Sequence, residues 1–391
     1  MLVRWLMLFI LFVVRLAMGF QFQSVASTSA QLVDSFGLSY AEVGTLIGFF
    51  LLPGLFISIP SGALTRAVSD KNLLMFGAVA MVVGAWLMGS ASDATTLYAG
   101  RLVTGVGGTI YNVILTKMVT EWFFEKEIVL SLGIMLAAWP CGLALGLMIH
   151  EPVAAAYGWS WAMYVTAFAA LASLLLTALF YRAPPALLDV PGQPLRYGLP
   201  MRQFVQMSVA GVVWALYNAV LILVISFGPD ALVVAGYARG PAQSVTSLFM
   251  WTAMISVPLG GRLLQSVKRV TPALVALLLG SAATLVVIAG GTWPEASLIV
   301  LGIIAGIPAG ALIALSAEAV SRENRGPGLG IYYSWYYLGM TLVPGIAGGL
   351  RDATGSAKAP MLLAALLMVV VVACLLLLRV LQARWPILRS Q

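Results

Sequence analysis

Charge is scarce in this chain: Asp, Glu, Lys and Arg together make up 9% of its 391 residues, against roughly 25% in ordinary soluble domains. With a mean hydropathy of +1.00, that shortage excludes a soluble globule. Histidine occurs once, at His150, and cysteine twice, at Cys141 and Cys374, both inside apolar runs. Neither a disulfide framework nor a metal-ligand cluster can be built from these residues, so no cofactor is expected. His150 stands at the end of a run beside Glu151 and reads as an interfacial side chain. A nucleotide-binding motif is missing, which argues against direct ATP drive. An intramembrane enzyme would need a nucleophile, metal ligands or an acid pair at depth, and none is present. The 14 Asp and Glu residues all fall in loops or at the ends of apolar runs. The first apolar run, from Trp5, is too long for the core of a cleavable signal and contains Arg15, so it is expected to be retained.

What the chain does have is hydrophobic residues, at 61%, gathered into runs of about twenty, the length that crosses a ~30 Å hydrocarbon core as a helix. Twelve spans are predicted near 5–25, 41–64, 73–91, 97–120, 128–150, 159–181, 204–227, 243–267, 273–292, 295–319, 327–349 and 359–381. The expected fold is all-α and integral to the membrane. Basic residues fall in alternate loops: sixteen, from Arg4 to Arg389, on one side, and only Arg239, Arg351 and Lys358 on the other. That asymmetry predicts both termini in the cytoplasm, and it removes nucleic acid as the reason for a net charge of +7. Ser39-Tyr40-Ala41-Glu42 is a capping box for span 2, and Thr271-Pro272 an N-cap and first-turn proline for span 9.

The connection 182–203 carries Pro184-Pro185, Pro191-Gly192 and Pro194. It divides the chain into a six-helix bundle over 1–181, a cytoplasmic linker, and a second bundle over 204–391. Ile57-Ser58-Ile59-Pro60-Ser61-Gly62 recurs as Ile255-Ser256-Val257-Pro258-Leu259-Gly260 in the corresponding span of the second half. Repeats of this kind accompany a binding site between halves and alternating access to it.

One residue demands a reason. Arg15 sits midway along span 1, where an arginine costs ~2.5–3.5 kcal/mol on insertion scales. It cannot shed its proton and offers a planar fork to carboxylate or phosphate. With no acid at the same depth, it reads as the fixed cation of an anion-binding cavity, the alternative being an arginine that only holds helices together. Gly19 and Gln23 follow it at spacings of four, on the same face.

With these features on the page, the chain resembles the major facilitator superfamily over essentially its whole length. Gly62-Ala63-Leu64-Thr65-Arg66-Ala67-Val68-Ser69-Asp70-Lys71 is similar to that family's loop between spans 2 and 3, but with Arg66 where an acid is expected and Asp70 where a base is. Arg101-Leu102-Val103-Thr104-Gly105-Val106-Gly107-Gly108 is similar to its span 4 motif. The resemblance implies two pseudo-symmetric bundles and gating or coupling roles for Gly62, Arg66, Asp70, Lys71 and Arg101. For Arg101 the alternative is snorkelling from a span end, and for Lys117 snorkelling is the favoured reading. The resemblance also implies a path lined by the first and fourth helices of each half, which nominates Tyr111, Asn112, Trp214, Tyr217 and Asn218. Trp139 of span 5 and Tyr336, from the run Tyr332-Tyr333-Ser334-Trp335-Tyr336-Tyr337 in span 11, join the candidate substrate-binding residues, Arg15, Gly19 and Gln23 among them.

Within the family the look is loosely that of prokaryotic nitrate, cyanate and organic-anion carriers, without the nitrate-carrier glycine signature. The expectation is a secondary or facilitative transporter of a small anionic solute, working as a monomer in the bacterial inner membrane. A co-transported proton stays open, and no nucleic acid is involved. The rival is a carrier of neutral or planar aromatic solutes with Arg15 structural. A non-transporting sensor on the same fold is the third reading.

Overall fold

The computed structural model describes residues 2–57, 68–123, 127–184, 199–321 and 324–386. Gly62, Arg66 and most of the first copy of the repeated segment lie outside these residues, as does most of the connection between the halves. Among the described residues there are fifteen helices and no strand. They are α1 (Leu2–Ser27), α2 (Ser29–Phe36), α3 (Tyr40–Phe49), α4 (Leu52–Ile57), α5 (Asp70–Gly89), α6 (Ala94–Trp122), α7 (Ile128–Tyr157), α8 (Trp159–Phe180), α9 (Met201–Val234), α10 (Arg239–Gln265), α11 (Val270–Gly290), α12 (Pro294–Gly306), α13 (Ala309–Glu318), α14 (Arg325–Thr354) and α15 (Ala359–Arg384).

Eleven of the spans built from these helices are long and apolar enough to cross a membrane. The remaining long helix, α14, has thirty residues, but its tyrosines and glycines keep it out of that group. Two expected spans are interrupted. Span 2 breaks between α3 and α4 just before Pro53, and span 10 breaks at Ile307-Pro308 between α12 and α13. In both places a proline lacks the N–H that would continue the ladder.

The Ser39 capping box forms with Glu42 as expected. The cap expected at Thr271 does not: α11 starts two residues earlier, at Val270, and the Thr271 hydroxyl instead accepts from Arg379 Nε at 3.1 Å. Span 5 runs on to Tyr157, through Pro140 and Pro152. His150 is therefore not interfacial but fully buried, its Nε2 2.8 Å from the Phe20 carbonyl.

Helices α1 to α8 pack mainly on one another, and so do α9 to α15, with α3 on α14 and α7 on α10 as the principal contacts between the two sets. Glycine makes the first of these possible. A Cβ at Gly48 would strike the backbone of Thr341, and one at Gly44 or Gly348 the backbone of Pro344 or Tyr40. Small residues four apart let helices approach this closely within a bilayer.

Candidate functional site

Burial along the first helix of each set locates the site. Every residue from Ala17 to Ser29 at the end of α1, and from Ile222 to Leu232 near the end of α9, is buried. Toward the opposite end of both helices burial alternates with exposure, and Leu6 and Phe9 are open. The two sets are sealed together at one end only, as far as the described residues go.

Side-chain bonds between the sets cluster at that sealed end. Gln23 Nε2 donates to the Ile225 carbonyl at 3.1 Å. The Ser27 hydroxyl donates to Gln243 Oε1 at 3.1 Å, and Gln243 Nε2 returns a bond to the Ser27 carbonyl at 3.0 Å. The Asp352 carboxylate accepts from the backbone N–H of Tyr40 at 3.1 Å and of Ala41 at 2.8 Å, so α14 caps α3 across the boundary. Next to it, the Arg351 guanidinium lies 3.3 Å from the Tyr40 ring centroid and pairs with Asp230, which Arg239 also approaches. The Glu151 carboxylate comes close to the start of α10 at Gly240, where exposed backbone N–H groups favour an anion.

Below this seal stands Arg15. It is half-buried, and among the described residues its guanidinium forms no hydrogen bond and no ion pair; its Nε is shielded from solvent and unpartnered. Tyr333, Tyr336 and Tyr337 of α14, from the other set, lie within electrostatic reach of it. The Tyr336 ring lies near-parallel to Trp214 of α9 at 6.5 Å between centroids, and Trp214 stacks likewise with Tyr217 at 5.7 Å and Tyr332 at 6.4 Å. Asn112 of α6 lies beside the Tyr337 hydroxyl. Arg15, Asn112, Trp214, Asn218, Tyr333 and Tyr336 all keep part of their surface open although they sit in the middle of the bundle.

Other nominated residues lie elsewhere. Gly19 turns away from Arg15 toward α7, where a Cβ would come within 2.6 Å of the Trp139 carbonyl, so it serves helix approach. Gln23 belongs to the seal. Trp139 is half-buried with its ring 5.4 Å from Phe22. Tyr111 is wholly buried between α6 and Gly77 of α5, its hydroxyl without a partner. The Tyr217 ring joins the stack, but its hydroxyl donates to the Ala305 carbonyl of α12 at 2.5 Å. Asn218 spends its amide on the Trp214 carbonyl at 2.8 Å.

Arg101 does not snorkel. It is fully buried, donates to the carbonyls of Leu46, Gln21 and Phe22 at 3.1, 3.3 and 2.9 Å, and lies over the Phe50 ring at 4.8 Å. Asp70 binds Lys117 at 2.8 Å, so Lys117 is paired rather than snorkelling, and Lys71 donates to the last carbonyls of α8, at Ala178 and Tyr181. Both bonds stay within the first set of helices. A separate hollow of about 360 Å³ beside Leu52, Phe56, Leu102 and Val106 has no polar lining and holds none of these residues.

Sequence reasoning passed over the seal. Its polar members, Ser27, Gln243, Asp230, Arg351 and Asp352, read individually as span-end residues, although the Gly44-x-x-x-Gly48 spacing in span 2 was a usable signal for close helix approach.

Known proteins bear on this arrangement at three levels. Two solved structures have this fold over nearly the whole chain. A bacterial homologue of the human lysosomal transporter Spinster, in an inward-facing and occupied conformation, matches 97% of the chain and 98% of its own at 14% identity and a TM-score of 0.71. The nucleoside transporter NupG matches 95% of the chain and 99% of its own at 12% identity and a TM-score of 0.74. Among curated relatives, Azole resistance protein 1 of Saccharomyces cerevisiae is 23% identical over 145 residues, 36% of this chain and 23% of that protein. The D-galactonate transporter of Escherichia coli O6:H1 is 24% identical over 163 residues, 42% of this chain and 38% of that protein. The chain thus aligns with less than two-fifths of the length of either relative. The family model for the Major Facilitator Superfamily matches residues 7–238 and 204–389, and a match of that extent places the chain in the Major Facilitator Superfamily.

Proposed function

We propose that the protein carries a small anionic solute across a membrane by alternating access, its halves 1–181 and 204–391 rocking about a site at Arg15. The observation that carries this reading is the guanidinium itself: a permanent charge in the middle of the bundle, partly open, with no partner among the described residues. An arginine whose only task was structural would be satisfied, as Arg101 is by three carbonyls. Low-dielectric walls strengthen its attraction for an anion. The family supports transport, and the name of the D-galactonate transporter among relatives named for diverse solutes supports an organic anion as one candidate.

Apart from Arg239, Arg351 and Lys358, the described loop and helix-end basic residues lie toward the end away from the seal, so the positive-inside rule makes the sealed end the outer one. On this reading the structure is the inward-facing state of a carrier in the bacterial inner membrane. No described carboxylate stands at the depth of Arg15, so a coupled proton would travel on the solute's own acid group or use a residue of the seal.

The test is a thermal-stabilisation screen of the purified protein against anions and uncharged analogues, run in parallel on Arg15→Gln. Anion hits that vanish in the variant support the reading. Neutral hits that survive the substitution overturn it in favour of a carrier of neutral solutes.

A further inference from the structure

An anion held by Arg15 would lie opposite an aromatic wall. The guanidinium belongs to α1, and Tyr333, Tyr336 and Tyr337 of α14, from the other half, lie within electrostatic reach of it. Tyr336 continues into the near-parallel set around Trp214, with interplanar angles of 28° to Tyr336, 26° to Tyr217 and 20° to Tyr332. One N–H of the Asn218 amide, beside this set, is committed to a backbone carbonyl. Tyr217 has likewise given its hydroxyl to Ala305. The wall opposite the charge is therefore mostly ring surface, with tyrosine hydroxyls at its rim to share a carboxylate with Arg15.

A wall of this kind discriminates by shape and polarity. A strongly hydrated inorganic oxyanion would exchange a full water shell for a few phenolic hydroxyls at the rim and lose the rest of its hydration against ring faces. A flat apolar body would cover those faces in offset or edge-to-face contact, where aromatic pairs gain beyond simple burial. The charge sets a second limit. Of the two mid-span arginines among the described residues, Arg101 is saturated by carbonyls, which leaves the single charge of Arg15 on offer there. A dianion would keep an uncompensated charge in a low-dielectric site.

We infer that the solute is an aromatic monocarboxylate, its carboxylate forked onto Arg15 and its ring laid against Tyr336 and Trp214. This rests on the reading of Arg15 as the anion site and adds the identity of the body attached to the anion. The ligand would touch α1 of one half and both α9 and α14 of the other, so its arrival would draw the halves together around it.

Isothermal titration of the purified full-length protein decides it, with benzoate, cyclohexanecarboxylate, acetate, nitrate and benzamide as probes. The proteins compared are the wild type, Arg15→Gln, Tyr336→Ala and the ring-preserving Tyr336→Phe. Benzoate should bind at least tenfold more tightly than acetate, nitrate or benzamide and several-fold more tightly than the puckered cyclohexanecarboxylate. Tyr336→Ala should remove most of the benzoate advantage and leave acetate unchanged, Tyr336→Phe should keep it, and Arg15→Gln should abolish binding of every anion. Should benzoate, cyclohexanecarboxylate and acetate bind alike in the wild type and all be lost in Arg15→Gln, the aromatic assignment is overturned while the anion site stands. Benzamide binding as well as benzoate, unaffected by Arg15→Gln, overturns the anion site itself. Binding of nitrate alone, or of none of the acids, overturns the aromatic assignment too.

Discussion

Two arginines stand inside the first half on adjoining helices, and only one of them is used up by the fold. Arg101 holds three carbonyls from α1 and α3 while fully buried, and hydrogen bonds to a charged group contribute about 1.5–3 kcal/mol each. Arg101→Gln should therefore lower stability by on the order of 3 kcal/mol or more, read as a drop in melting temperature in detergent. Arg15→Gln should leave the ligand-free melting temperature within a degree or two, because its guanidinium satisfies nothing. The sequence showed both arginines inside spans but could not tell them apart, since the carbonyls that saturate Arg101 come from segments 55 and about 80 residues away. Gly19 shows the same limit: helical spacing put it on a face with Arg15, and only the position of α7 reveals which side of that face it serves.

At the protein surface, Asp93 caps α6 by accepting from the Thr96 backbone N–H at 2.8 Å and the Thr96 hydroxyl at 2.9 Å, and these bonds hold its carboxyl below the usual range. A carboxyl depressed in the folded state adds stability above its unfolded pKa of about 3.9, and that contribution is lost as the pH falls through the lower folded value. Asp93→Ala should melt below wild type at pH 7, with the gap narrowing as the pH falls below 4.

The seam between α3 and α14 is an element-scale device. Gly44 and Gly48 face Thr341, Pro344 and Gly345, and Gly348 faces Tyr40, at backbone-to-backbone range. A side chain there cannot be absorbed by a rotamer change, because it meets main chain. Gly48→Val should pry the sealed end apart, so that a cysteine placed at Ser27, in a background lacking Cys141 and Cys374, is labelled faster from that side. Asp352→Ala works by a different route. It removes a cap from α3, about 1 kcal/mol by comparison with other helix caps, and should raise the same labelling rate roughly fivefold if the capped form is the resting state. Hydropathy made most helices legible because bilayer length imposes a periodic signal that needs no knowledge of partners. The breaks before Pro53 and at Pro308 were also written locally, as prolines, but a proline alone does not decide between a break and a bend. Pro140, Pro152, Pro229, Pro258 and Pro344 all sit within continuous helices.

Across the described residues, one end is closed by bonds between the two sets of helices and the other holds most of the basic residues. The expected working cycle exchanges these ends. Cysteines at Asn218 and at Ser27 should respond in opposite senses when a transported solute is supplied, the first protected and the second exposed. Constant labelling of both would speak against rocking halves. Charge asymmetry between loops yields an expectation of which end faces inward without any structure, because it depends on counting rather than contact. That the tyrosines of α14 come within electrostatic reach of Arg15 was beyond such counting, as the two lie more than three hundred residues apart. That helix has a last consequence. Rich in tyrosine and glycine, α14 is the long helix among the described residues that falls outside the group apolar enough to cross a membrane. During synthesis it emerges after α3 and α9, the two helices that give it its main contacts, and their waiting surfaces would have to receive it. Biogenesis of the protein would then hinge on the first half being assembled before the eleventh segment leaves the ribosome, and damage to α3 would appear first as a failure of insertion.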